Sequence, residues 1–180
     1  ILSCLSIQKR AEGRYEINPS FIWGCNFSVR KNVVINAGGF NPDGMPPDRI
    51  RFRGDGEKRI ADYIKKYSLK CIFDSKVSIF HKVTKERMQL KYFEKRGFRE
   101  GISDSFTDIR LKKKKLLIKL YILFFLKELL RICFSLGQKR KIDLANSKYN
   151  FGYINGYRFH QHKYNNDPQV KAWVEKSNFF

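Results

Sequence analysis

Four cysteines are too few and too scattered to organise this chain. Cys4, Cys25, Cys71 and Cys133 lie 21, 46 and 62 residues apart. That spacing excludes a zinc site built on paired CxxC motifs and a dense disulfide framework, and it fits a reducing, cytosolic compartment. Acidic residues are also scarce, with 17 Asp+Glu against 37 Lys+Arg and a formal charge of +20. The opening residues lack the basic, apolar, small-residue order of a secretory signal, and they lack a starting Met, so the 180 residues are read as a piece of a longer protein. Neither an internal repeat nor a low-complexity linker is present. The most apolar stretch, Leu116 to Leu136, is interrupted by Lys119, Lys127, Glu128 and Arg131, and its longest uncharged run is Leu120 to Leu126. A membrane span needs roughly 20 predominantly apolar residues with few or no charges, so this stretch is not read as one.

What is present is apolar area and concentrated positive charge. A hydrophobic fraction of 42% is too high for a disordered polybasic tail and predicts a packed domain. Residues 58–142 hold 24 Lys+Arg and 8 Asp+Glu, a local net of +16. Such a surface attracts phosphate, whether in nucleic acid, in anionic lipid head groups or in the diphosphate of a nucleotide substrate. The run Lys112-Lys113-Lys114-Lys115 leads directly into the apolar stretch, whose charges at 119, 127 and 131 recur near one helical face. Two readings follow: a helix lying in the membrane interface, or a buried helix with a solvated charged stripe.

Locally, Phe21 to Arg30 is rich in β-favouring residues and is predicted as a strand interrupted by Gly24. Asn36 to Pro47 is dense in Gly, Pro, Asn and Asp and reads as an irregular, ligand-carrying loop. From Glu57 the spacing of Ile60, Ala61, Ile64 and Tyr67 predicts a helix, with Asp55 and Glu57 at its positive N-terminus. Cys71 to Phe73 and Val77 to Phe80 are predicted as short strands, with His81 just past the second. Glu86 to Phe98 reads as a helix whose exit is bracketed by Gly97 and Gly101. Tyr149 to Tyr157 is polar and aromatic, and Asp167-Pro168-Gln169 opens a short final helix carrying Trp173.

Four blocks in sequence carry a family resemblance: Trp23-Gly24-Cys25-Asn26-Phe27-Ser28-Val29-Arg30, Gly38-Gly39-Phe40, Gly54-Asp55-Gly56-Glu57, and Ile72-Phe73-Asp74 through His81. In this order the chain resembles the inverting glycosyltransferases of family two, which have the GT-A nucleotide-sugar fold. The resemblance spans about residues 20 to 176 and concerns the acceptor-side half. It implies an α/β class: residues 1–110 as the C-terminal half of a GT-A-like domain, 111–142 as a basic apolar helix, and 143–180 as a helical, aromatic extension. The family's Asp-any-Asp metal motif does not occur in these residues, and the acidic block reads Gly-Asp-Gly-Glu rather than the commoner Gly-Glu-Asp.

The resemblance implies transfer of a sugar from a nucleotide-sugar donor to a hydroxyl acceptor, a glycan or a lipid-linked precursor in surface-glycan synthesis. Glu57, or else Asp55, is the implied base that takes the acceptor proton. Without the flanking blocks, the same two residues read as ordinary complements of a helix start. The family's Mn²⁺ or Mg²⁺ implies His81 as a metal ligand, against the reading of a hydrogen-bonded structural histidine. Arg87 is the implied partner of the diphosphate, against a solvated helix cation. Trp23, Gly24 and Asn26 are candidates to line the sugar or acceptor pocket, against core packing of Trp23. The expected location is the cytoplasmic, inner face of the plasma membrane, with an anionic membrane surface as partner and no nucleic acid. The rival readings are a non-catalytic basic module binding nucleic acid or anionic membrane, and a non-catalytic membrane-peripheral scaffold.

Overall fold

The computed structural model of the chain describes residues 3–5, 10–112 and 118–179. Its elements are β1 (Arg14–Glu16), α1 (Lys31–Ala37), α2 (Lys58–Lys66), β2 (Ile72–Asp74), α3 (Leu90–Arg110), α4 (Ile118–Cys133), α5 (Gly137–Asn166) and α6 (Pro168–Glu175), with 3-10 turns between them. Helix makes up 62% and strand 4% of the chain. Among the described residues the one sheet is the antiparallel pair β1-β2, with Tyr15 opposite Phe73. This corrects the α/β, GT-A-like expectation. A strand needs a ladder partner to satisfy its backbone. Of the predicted strands only the first of the 71–80 pair finds one, in β1. Phe21 to Arg30 forms a 3-10 turn, a bend and extended backbone instead, and Val77 to Phe80 runs unpaired with Phe80 fully exposed.

The helical bulk is built on α3 and α5. Gly97 and Gly101 do not end a helix, contrary to expectation; α3 continues through both for 21 residues, about 31 Å. They face Gly152 and Gly156 of α5, and a Cβ on any of the four would come within 1.9–2.1 Å of a carbonyl oxygen on the other helix. Backbone therefore meets backbone, an approach only glycine allows. Tyr153 and Tyr157 of α5 then donate to Asp104 and Asp108 of α3, at 2.8 and 3.1 Å. Residue numbers rise together along this contact, so α3 and α5 run parallel, and α4 is the return path that such a pair requires.

The return helix is pinned to α5 from one side. Glu128 of α4 accepts from Ser147 at 2.6 Å and Asn150 at 3.1 Å, and Ser135 donates to Asp143 at 2.6 Å. Lys113 to Lys115, the core of the lysine run, and Leu116 and Leu117 lie outside the described residues. At the other end, Asp167 caps α6 by accepting from the backbone N–H groups of Gln169 and Val170, as its sequence predicts. Val170 and Val174 bury against Phe106 of α3, and Trp173 donates to the carbonyl of Phe52 at 2.8 Å. A separate cluster of Ala37, Ile60 and Ile64 seats α2 on α1. These two packings hold the Gly54-to-Glu57 turn between α2 and α3.

Candidate functional site

The turn itself depends on its glycines. Gly56 has φ +58, in the left-handed region, and a Cβ there would meet the Asp43 carboxylate at 3.1 Å. At Gly54 a Cβ would lie 3.0 Å from both Asn41 and the Pro42 carbonyl, and the Gly54 N–H donates to that carbonyl. Two residues without side chains thus press Asp55 against the loop that carries Asn41 and against α3.

Asp55 is held on both oxygens. Asn41 Nδ2 donates to Oδ1 at 2.5 Å, and the Thr107 hydroxyl of α3 donates to Oδ2. Burial pushes its carboxyl above the ordinary value, and these two hydrogen bonds offset part of the rise. Ser103, one helical turn before Thr107, donates to the Gly54 carbonyl at 2.7 Å and accepts from Arg53 Nε at 3.2 Å. Glu57, at the N-cap of α2, makes no capping bond with its side chain, and its carboxylate takes part in no hydrogen bond or ion pair among the described residues. Its carboxylate lies directly over Gly24, where a Cβ would come within 1.7 Å of Oε1. Neither acid therefore serves as a side-chain cap of the helix.

A polar cleft of about 430 Å³ opens between the Trp23-Gly24 turn, the Gly54-to-Glu57 turn and α3. Trp23, Gly24, Asp55 and Glu57 line it together, as do Arg53, Lys58, Arg96 and Glu100. Four of the residues singled out in the sequence thus meet in one place. A second cleft, of about 460 Å³ between α3 and α5, carries Lys91, Lys95 and Arg99, but its one carboxylate, Glu94, is paired with Lys148 at 3.4 Å. Only the first cleft offers an uncommitted acid beside an indole ring.

The other three predicted residues sit elsewhere. Asn26 spends its amide on the Val77 carbonyl at 3.0 Å, tying two irregular segments together. His81 and Arg87 face each other, with Arg87 Nη1 3.3 Å from His81 Nε2, and neither lines the cleft. A guanidinium donating to Nε2 occupies the lone pair a metal would need and repels a cation. The His81 Nδ1 is buried without a partner, and no group of three His, Cys, Asp or Glu suited to a metal occurs among the described residues. These residues do not fit the divalent cation that the family resemblance implies.

Asn41, Arg53, Ser103 and Thr107 were not singled out from sequence. The i, i+4 spacing of Ser103 and Thr107 places both on one face of a helix, but nothing in the sequence says that this face meets Asp55. In comparison with known proteins, no family model, no curated protein and no solved structure matches the chain.

Proposed function

We propose that this chain carries the acceptor-side catalytic carboxylate of a glycosyltransferase that moves a sugar from a nucleotide-sugar to a hydroxyl acceptor. The observation that supports it most is Glu57: a partly buried carboxylate, free of any hydrogen bond or ion pair among the described residues, over a glycine and in one cleft with Trp23. An acid so placed is available to accept a proton. In the reaction Glu57 takes the hydroxyl proton as the acceptor oxygen bonds to the anomeric carbon. The bond from that carbon to the nucleoside diphosphate breaks, and the leaving group carries off the electron pair. Trp23 offers an apolar face to the sugar's C–H groups. Arg53, Lys58 and Arg96 stand in the cleft among six carboxylates, Arg53 paired with Asp43 and Arg96 with Glu100, and Asp55, bonded on both oxygens, fixes the turn that carries Glu57.

We place the reaction at the inner face of the plasma membrane, where a lipid-linked glycan acceptor is presented. No helix among the described residues is long and apolar enough to cross a membrane. The test is nucleoside diphosphate release from a panel of nucleotide-sugars by the protein as the cell makes it, in its membrane fraction. Glu57→Gln is expected to lower turnover by about 100-fold or more, the range of general base catalysis, with an unchanged melting temperature. Undiminished turnover would remove Glu57 from the chemistry.

A further inference from the structure

Helix α4 has its polarity reversed relative to an ordinary surface helix. Its acid, Glu128, is 1% exposed and accepts from Ser147 and Asn150 of α5 and from Arg131 at 3.1 Å. Among its described side chains, four leucines face outward: Leu123 is 63% and Leu130 58% exposed, with Leu126 and Leu129 between them. Leu123, Leu126, Leu130 and Cys133 recur at intervals of 3, 4 and 3, so they form one continuous stripe along the helix. The stripe runs on into the turn through Phe134, 82% exposed, and Leu136, 79% exposed. Leaving so much contiguous apolar area in water is unfavourable, and such patches mark interaction surfaces.

The charge around the stripe selects the occupant. Residues 112–142 contain ten Lys+Arg and a single acid, Glu128, and that acid is turned into the protein. Lys127 lies on α4, and Lys139, Arg140 and Lys141 open α5 directly after the turn; all four are exposed and make no ion pair among the described residues. An apolar face with a purely cationic border is complementary to a bilayer surface with anionic head groups. A second copy of the chain would bring another +20 against the same border and be repelled. At 16 residues, about 24 Å, α4 is short for a span and suited to lying in the plane of the interface.

We propose that α4 and the turn after it form a monotopic docking surface for anionic membrane, with the Leu123-to-Leu136 stripe inserted below the head groups and the neighbouring cations on the phosphates. This deepens the membrane placement proposed above and rests on it, but not on sugar transfer. The test uses the protein as the cell makes it, with vesicles of phosphatidylcholine alone or containing phosphatidylglycerol. Cosedimentation is expected with the anionic vesicles and to weaken with salt. Leu126→Asp/Leu130→Asp, two changes at exposed positions that leave the fold intact, should weaken it by at least about tenfold. An environment-sensitive dye on Cys133, in a Cys25→Ser background, should shift to the blue on binding. Equal binding by the double variant, equal binding to neutral vesicles, or a protein that self-associates through this face without binding vesicles would each overturn the proposal. Glu57→Gln is expected to bind vesicles as wild type does, so loss of docking and loss of transfer are read separately.

Discussion

Asp55 and His160 are both titratable groups held by hydroxyls of α3, and burial moves them in opposite directions. Burial raises the Asp55 carboxyl, so the native state keeps a proton that the unfolded chain has already lost. Stability therefore falls as pH rises from the ordinary carboxylate value through the raised one. Asp55→Asn removes the charge while keeping an oxygen for Asn41 to donate to. Its melting temperature is expected to lie below wild type at acidic pH, where one of the two hydrogen bonds is lost, and to approach the wild-type value as pH rises and Asp55 ionises; a difference that is constant across pH would remove the buried charge from the account. His160 is fully buried, with Nδ1 2.8 Å from Ser105 Oγ, which also accepts from Gln161 Nε2 at 3.1 Å. Burial pushes His160 down to about 4 from an ordinary value of 6.5. The unfolded chain then binds the proton first, so stability is complete above about pH 6.5 and declines as pH falls toward 4. The decline is roughly 3 kcal/mol for this shift. Urea midpoints across that window should slope downward in wild type and flatten in His160→Asn, whose side-chain oxygen replaces Nδ1. An identical slope in both would assign the effect to other groups. At this scale the acids at 55 and 57 were legible as a pair from their place before a helical pattern. Their division into a bonded carboxylate and a free one was not, since it depends on Asn41 and Thr107, 14 and 52 residues from Asp55.

At the scale of elements, α3 and α5 carry the clearest case of context overriding local preference. Glycine in a helix interior ordinarily costs about 1 kcal/mol relative to alanine, so Gly97 and Gly101 read locally as an exit. Their spacing of four matches that of Gly152 and Gly156, and this pairing was the available signal that two helices meet there. Gly101→Ala should reverse the propensity rule, because its Cβ would lie 2.0 Å from the Tyr153 carbonyl. The expected loss is about 3 kcal/mol by urea denaturation, the upper part of the range for overpacking, and a stabilised variant would mean that the helices separate freely. Helix α2 was readable from Ile60, Ala61 and Ile64, the positions it buries, but not at Tyr67, which lies just past its end and is exposed. The start of α6 was equally readable, because Asp167 and Pro168 start a helix by local chemistry alone. Of the predicted strands, Cys71 to Phe73 matches β2, while Phe21 to Arg30 and Val77 to Phe80 do not form strands, because a β-favouring run becomes one only where another strand pairs with it.

At the scale of the whole molecule, charge and topology act together. The parallel arrangement of α3 and α5 needs a return helix, the return helix buries Glu128 against α5 and sets Phe125 beside Phe151, and Leu123, Leu126, Leu129 and Leu130 are left outside beside the most cationic segment of the chain. Composition announced the excess charge, and periodicity announced the apolar helix. By itself the sequence determined the helices with strong local signals, the concentration of positive charge, and the presence of two acids before α2, since each of these depends on residues near one another in the chain. Only the tertiary structure decided that the chain is mainly helical, that Glu57 stands free over Gly24, that His81 faces Arg87 rather than the cleft, and that the leucines of α4 face outward. Each of those outcomes depends on which distant backbone or side chain arrives as a neighbour, and that is a property of packing rather than of local sequence.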